Sequence, residues 1–447
     1  MTTSDLQAHE NVGGKTIPRF PIWVILILAA VYTLSYLDRQ VVNIVAEHIK
    51  QDLGLADWQI GAVSGLSFAL LYATLGIPVA RIAERSNRGI LISIALVVWS
   101  ACTAVMGFAQ NFWHLALARF GVGLGESGCT PPAMSLIADV TDKEQRPNAL
   151  AIYNLGVPVG ALLGMVIGGY LVDLLGWRSV FFVVGPPGIF LAIVILAFVK
   201  DPRSQKKFAA ETGAPAETGD VPSMSAVAKD LAAKKSFWWI TTGACLTVFV
   251  GYSLQAFLAS FFLRTHSDGL AGLAEQLGLP GPTALLGIAL GIILGLGGAI
   301  GTLIGGQVGR RWKSTRAYVL VPAIGSLAAA PFYVIAFLLP GAGMAMVLLI
   351  VPTILKSLWY GPVYASIQGV CHPRSRATAI AIFLFLLNAI GLGLGPLSVG
   401  IGSDFLSARL GEAEGLRWAM IVVSAVSALS AFCFLKAAKP LENELVE

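Results

Sequence analysis

The sequence predicts an all-α membrane protein: twelve transmembrane helices in two six-helix bundles. Three observations lead there. Of 447 residues, 56% are hydrophobic and 12% charged, and the mean hydropathy is +0.76, which excludes an ordinary soluble globular chain. Twelve apolar stretches have about the 20-residue length a helix needs to cross the hydrocarbon layer. These stretches fall into two sets of six on either side of one long polar segment, 201–236.

Taken in order, residues 1–21 form a polar tail. The first apolar run carries Asp38 and Arg39 and is too long for a cleaved signal peptide, so it is expected to remain as the first span. The first bundle, 22–200, reads as spans at 22–46, 58–80, 89–109, 112–138, 147–173 and 178–200. The second, 237–437, reads as spans at 237–263, 283–308, 317–339, 343–369, 376–402 and 416–437, followed by a tail at 438–447. The linker begins with flexible composition (GAPAETGDVPS). It ends in SAVAKDLAAKKSFWW, whose lysines and aromatics are spaced as on an amphipathic helix lying at a membrane surface; tethering the bundles is its simplest role.

Charge sets the orientation. Arg81, Arg85, Arg88, Lys143, Arg146, the linker lysines, Arg310, Arg311, Lys313, Arg316, Arg374, Arg376, Lys436 and Lys439 all fall on one side. The positive-inside rule makes that side, and both termini, cytoplasmic. A multi-pass protein of the cell membrane, working as a monomer, is the expectation. The net charge of +5 is spread through loops and does not indicate nucleic acid. The five cysteines have no metal-type spacing and read as small buried hydrophobes. With no phosphate-cradling loop, catalytic triad or metal set in the sequence, neither an enzyme nor a cofactor or metal is expected.

What stands out is the short list of charges deep within spans: Asp38, Arg39, Arg119, Glu126 and Lys356. A charge at bilayer depth costs at least ~2.5–3.5 kcal/mol and is a functional candidate by default. Arg119 and Glu126, seven residues apart, share one helix face about 10 Å apart along the axis. Glycines 121, 123, 125 and 128 let a neighbouring helix or a ligand approach that span closely. Asp38 and Arg39 point ~100° apart, so Arg39 is placed toward a central cavity and Asp38 toward an adjacent helix.

Two bundles joined by a polar linker match the major facilitator architecture of nested repeats. The loop ARIAERSNRG (80–89) resembles that superfamily's motif between spans two and three, with Glu84, Arg85 and Arg88 at its charged positions. GGQVGRRWKSTR (305–316) keeps the glycine and the basic cluster in the second half but lacks the acid. Within the superfamily the chain most resembles the spinster-type transporters. The resemblance rests on SYLDRQVVNIVAEHIKQDLGLADWQIG (35–61), ARFGVGLGESGCTPPAMSLIADVTDKEQR (118–146) and YNLGVPVGALLG (153–164), and more weakly on GLGLGPLSVG (391–400).

The resemblance implies an alternating-access transporter of amphipathic lipids, of the sphingolipid or lysophospholipid class. It implies Glu126 and Asp38 as proton-coupling acids and Arg39 as the charge that answers them or a headgroup. Arg119 would hold Glu126 or an anionic substrate. The span-five run GALLGMVIGG (160–169) has the glycines of an antiporter motif without its Gly-Pro step, which leaves antiport open.

Glu84, Arg85, Arg88, Asp139 and Arg146 are expected to form a latch holding the inner helix ends together in the outward-open state. The remaining residues carry two readings each. Glu126 is either a proton carrier or half of a fixed ion pair that staples helices. Lys356, beside Trp359 and Tyr360, either faces an anionic headgroup or snorkels toward an interface. Tyr32, Tyr36, Tyr153, Asn154, Gln255, Tyr360, Phe383 and Asn388 are either cavity lining or interhelical hydrogen-bonding and packing groups. The rival functions are a broad-substrate drug/proton antiporter, an organic-anion symporter and an uncoupled lipid scramblase.

Overall fold

The computed structural model describes residues 22–142, 144–202, 224–311, 315–372 and 375–445. Eleven helices among them are long and apolar enough to cross a membrane. In the first bundle these are Ile22–Leu53 (span one), Asp57–Gly76 extending to Arg85 (span two), Arg88–Met106 (span three), Arg146–Leu175 (span five) and Trp177–Phe198 (span six). In the second they are Lys235–Thr265 (span seven), Pro282–Val308 (span eight), Ala317–Leu338 (span nine), Ala342–Gly369 (span ten), Thr378–Leu410 (span eleven) and Glu412–Glu444 (span twelve).

The expected fourth span is built from two consecutive helices, Phe112–Ser127 and Thr130–Val140. The break at Gly128 and Cys129 has a local cause. Pro131 and Pro132 occupy the first turn of the second helix, where a missing N–H is tolerated, but inside a continuous helix they would remove its hydrogen bonds. Two further irregularities lie in regions of close packing between the bundles: a π-helical turn at Ala62–Leu66 in span two and another at Leu387–Leu394 in span eleven.

Successive spans alternate in direction, so one end of the molecule gathers Ile22, Arg88, Lys235 and Glu444 (the proximal end). The other gathers Leu53, Asp57, Pro282 and Leu410 (the distal end). At the distal end the two bundles share one apolar core, in which Val41, Val45 and Phe181 pack together with Phe257, Leu286 and Val399. Toward the proximal end the core divides. Ile25, Leu96, Leu136 and Ile195 belong to a cluster of the first bundle, and Phe237, Val319, Ile367 and Phe434 to one of the second. Among the described residues the apolar core common to both bundles lies at the distal end, and toward the proximal end Leu392 of span eleven joins the first bundle's cluster.

Before span seven, a short helix, Met224–Ala233, carries the amphipathic linker segment. Its Val227 and Leu231 are buried in the proximal core of the second bundle, and Lys234, next in the chain, donates to the carbonyl of Val370 at 2.7 Å.

Candidate functional site

Span one and span four place four charges in the interior of the first bundle. Ser35 and Arg39 are one turn apart on span one and reach the same carboxylate oxygen of Glu126. Ser35 Oγ donates to Oε2 at 2.7 Å, and Arg39 donates from Nε at 3.0 Å and Nη2 at 2.6 Å. The second oxygen of that carboxylate, Oε1, is buried without a hydrogen-bond partner. Glu126 is 1% exposed and Arg39 8%.

Asp38 turns to the other side of span one. Its Oδ1 accepts from Thr103 Oγ1 of span three at 2.8 Å and its Oδ2 from Arg119 Nη1 of span four at 3.1 Å. Arg119 also donates from Nε to the carbonyl of Val63 at 3.3 Å, inside the π-helical turn of span two. The site thus holds two separate ion pairs, Arg39–Glu126 and Arg119–Asp38. The resemblance implied that Arg119 holds Glu126 or a substrate; the structure pairs it with Asp38 instead. Arg119 lies two turns toward the distal end from Glu126, level with Asp38, while Arg39 meets Glu126 from one turn beyond Ser35.

Phe68 separates the two cations. The Arg39 guanidinium lies 4.5 Å and that of Arg119 5.1 Å from its ring centre, and Arg39 also faces the rings of Tyr72 (4.7 Å) and Tyr36 (5.1 Å). Aromatic faces answer cations electrostatically where water is scarce. The close fit depends on Gly123, because a Cβ there would stand 2.4 Å from the Phe68 carbonyl oxygen. A phenol-rich surface continues from Arg39: Tyr32 stacks on Tyr153 at 4.6 Å and meets Tyr36 edge-on at 5.2 Å. Tyr252 of span seven joins the tyrosines around Arg39 and packs against the proximal cores of both bundles.

In the second bundle Lys356 ends the first helical segment of span ten, followed by a 3-10 turn, Ser357–Trp359. Its Nζ is 3.1 Å from where a Cβ on Gly251 would sit, and no carboxylate among the described residues forms an ion pair with it. One turn on, Tyr360 stacks on Trp359 at 4.2 Å and is 41% exposed. Two of the other expected lining groups bond within their own helices. Asn154 is exposed and gives its amide to the Leu150 carbonyl of its own helix at 2.7 Å. Asn388 does the same with Leu384 at 2.9 Å. Phe383 is buried edge-on against Tyr364, and Gln255 is half-buried.

Of the residues expected to form a latch in the outward-open state, Arg88, Asp139 and Arg146 have described side chains. Arg88 is fully buried; its Nη1 meets Asp139 at 2.8 Å and Ser135 Oγ at 3.0 Å, and its Nη2 pairs with Asp201. Asp201 also accepts from the backbone N–H of Arg88 at 2.8 Å, closing the start of span three. Arg146 donates to the carbonyl of Ala138 at 2.7 Å. These contacts tie spans three, four, five and the end of six within the first bundle rather than one bundle to the other. The side chains of Glu84 and Arg85 lie outside the described residues.

Sequence reasoning missed several participants. Ser35 had a usable signal, since it precedes Arg39 by one turn; Thr103, Phe68, Tyr72 and Tyr252 had none. It also missed a charge cluster across the bundles at the distal end. There Arg264 Nη2 bridges Glu47 (2.8 Å) and Asp57 (2.7 Å), and Lys50 meets Asp57 (3.2 Å) and Glu412 (3.0 Å). No group of three or more potential metal ligands occurs among the described residues.

Comparison with known proteins places this geometry. Residues 28–396 match the family model described as Major Facilitator Superfamily. An "MFS-type efflux pump" of Mycolicibacterium smegmatis is 30% identical over 423 residues, covering 94% of this chain and 93% of the pump. The human "Protein spinster homolog 1" is 27% identical over 459 residues, covering 98% of this chain and 84% of the relative. Among solved structures, a bacterial homologue of the human lysosomal transporter spinster, in an inward-facing and occupied conformation, superposes with a TM-score of 0.81 at 29% identity, covering 96% of this chain and 99% of that one. Its inward-facing, unoccupied form gives 0.82 at 28% identity, covering 95% and 98%. Two bundles sharing a distal core, buried ion pairs in spans one and four, and these relationships together establish a membrane transporter, not an enzyme, that belongs to the Major Facilitator Superfamily and is of the spinster type.

Proposed function

We propose that this protein is a proton-coupled secondary transporter that moves an amphipathic lipid, of the sphingolipid or lysophospholipid class, by alternating access. The observation that carries the reading is the divided carboxylate of Glu126: Oε2 is held by Arg39 and Ser35 while Oε1 is buried and unpartnered. An unsatisfied buried acceptor is costly, and a proton from bulk water bound at Oε1 converts it into a donor. The same proton removes the charge from Glu126 and weakens two charge-assisted hydrogen bonds to Arg39. Arg39 is then released toward its tyrosine-lined side, where it can take an anionic headgroup. Asp38, held by Thr103 and Arg119, is the second coupling acid.

Lys356, Tyr36 and Tyr360 complete a headgroup site between the bundles, with Asn154 at its edge and apolar walls for the tail. Proton and cargo shift the balance between states only by their differing affinities for each. The distal end is assigned to the extracytoplasmic side and the proximal end, with both termini, to the cytoplasm of a cell-membrane protein acting as a monomer. On that assignment the conformation is inward-facing. The deciding experiment is flux in proteoliposomes: lysophospholipids and sphingolipids, each with and without an imposed pH difference. Transport accelerated by the gradient supports the reading, and gradient-independent equilibration points to an uncoupled scramblase.

A second reading has its own support. The Mycolicibacterium relative is named an efflux pump, and the aromatic ring surface around Arg39 suits flat organic cargo. Cationic dyes and organic anions run in the same vesicles separate a broad-substrate antiporter or symporter from a lipid carrier.

A further inference from the structure

The distal closure is built twice from one pattern. In span five, Gly169 is followed four residues later by Asp173; in span eleven, Gly400 is followed four residues later by Asp404. Each glycine lies against the backbone that starts a helix in the opposite bundle. A Cβ on Gly169 would stand 2.4 Å from the Thr283 carbonyl oxygen at the start of span eight, and one on Gly400 2.3 Å from that of Asp57 at the start of span two. Each aspartate then caps that helix. Asp173 Oδ2 accepts from the Ala284 N–H at 2.7 Å, and Asp404 accepts from the N–H groups of Asp57 and Trp58 at 2.9 and 2.8 Å.

The correspondence continues one turn inward. Gly287 of span eight, four residues beyond Thr283, approaches the Met165 carbonyl (a Cβ would be 2.3 Å away). Gly61 of span two, four residues beyond Asp57, approaches the Pro396 carbonyl in the same way (2.4 Å). Met165 and Pro396 precede Gly169 and Gly400 by four residues each. Spans five and eleven occupy equivalent places in the two six-helix halves, as do spans two and eight. One contact between the bundles is thus a single motif, Gly-x-x-x-Asp seated on a helix start, used twice.

We infer that Asp173 and Asp404 are the paired determinants of this conformation: two carboxylate clasps, each on a helix N-terminus of the other bundle, that must both release before the distal end opens. The first turn of a helix offers unpaired N–H donors and the positive end of its dipole, so an acceptor there gains charge-assisted bonds whose direction is fixed by the backbone. A clasp of this kind holds while the glycine face lets the helices touch and is lost once they separate by a few ångströms. Directly beneath each clasp the surface is glycine against carbonyl, so the carboxylates add a directional attraction to that of the shared distal core and of the Arg264 and Lys50 ion pairs.

The two clasps are not equally supported. The span two–eleven clasp is backed by Arg264 and Ser403, which hold the Asp57 side chain at 2.7 Å and 2.6 Å. Beside the span five–eight clasp, the Thr283 hydroxyl and His48 Nδ1 are buried without a partner. The span five–eight clasp therefore rests more heavily on its aspartate, and it is the one that should yield first.

This inference concerns the conformational cycle and is independent of the cargo and of proton coupling. It is tested by hydrogen–deuterium exchange of the full-length protein in nanodiscs, without substrate, reading peptides that contain the Asp57 and Trp58 amides and the Ala284 amide. In Asp173→Asn, exchange at Ala284 should rise roughly two- to tenfold, in line with the strength of a helix-terminus charge. The Asp57–Trp58 peptide in the other clasp should accelerate with it, because the bundles part as rigid bodies. Asp404→Asn should do the same with a smaller effect, and the double variant should exceed either. Gly169→Ala, which forces the same helices apart without touching a charge, should reproduce the Asp173→Asn pattern and stands in for it should that variant fail to fold. Glu275→Gln, an exposed acid at the same end, should change neither peptide. Acceleration confined to the mutated clasp, or no acceleration in a folded variant, overturns the proposal.

Discussion

Arg39 and Glu126 meet through a single carboxylate oxygen. Both guanidinium contacts, at 3.0 and 2.6 Å, and the Ser35 hydroxyl converge on Oε2, leaving Oε1 buried with no partner. A pair whose only task was to fasten helices would be expected to satisfy both oxygens, since a half-satisfied buried carboxylate is a poor fastener compared with apolar packing. The geometry instead leaves one carboxylate oxygen open next to a cation that is also held by aromatic faces.

Glu126→Gln tests that idea directly. The amide keeps the shape and one acceptor, and Arg39 retains three ring faces, so the variant should stay monodisperse in detergent and lose no more than about 1–3 kcal/mol. Gradient-driven uptake in proteoliposomes should fall to the level of empty vesicles. Wild-type rates in the variant would remove Glu126 from the coupling step.

Asp38 and Arg119 call for a different experiment because both are almost fully buried. Removing one partner leaves an uncompensated charge, and Asp38→Asn or Arg119→Met alone should cost about 3–5 kcal/mol. The double variant should recover much of that loss. A thermal-unfolding cycle in detergent measures the coupling; simple additivity of the two losses would contradict a direct pair.

Arg88→Ala separates a latch between bundles from a brace within one. Its partners Asp139 and Asp201 both belong to the first bundle, and burial makes the loss about 3–5 kcal/mol. Thermal stability should drop, while hydrogen exchange at the distal peptides containing Asp57, Trp58 and Ala284 should not move. A shift in those distal amides would restore a role in holding conformational state.

Gly123→Ala should act on the site from behind. The added methyl would meet the Phe68 carbonyl at 2.4 Å, pressing span two away from span four where Phe68 lies between the two guanidiniums. Overpacking of this kind costs about 1–3 kcal/mol. Transport should fall with it, and substitution at the exposed Leu124 of the same helix by alanine should leave both stability and transport close to wild type.

By itself the sequence determined the fold class, an all-α chain of long apolar spans, and the identity of the charges that lie within those spans. Those properties follow from the cost of putting polar groups in hydrocarbon, a cost each stretch of chain incurs alone. It also determined that Asp38 and Arg39 could not share a partner, since a helix turns ~100° per residue. Which partner each one found was decided by tertiary structure. Helical spacing let Arg119 share a face with Glu126 but said nothing of Asp38 on another span, and Thr103 became its companion on Asp38 only because the fold brings the two side chains within 2.8 Å. The Arg264 cluster and the two aspartate clasps were equally hidden, for the same reason: their partners are more than a hundred residues apart, and only the closed distal end brings them within hydrogen-bond reach.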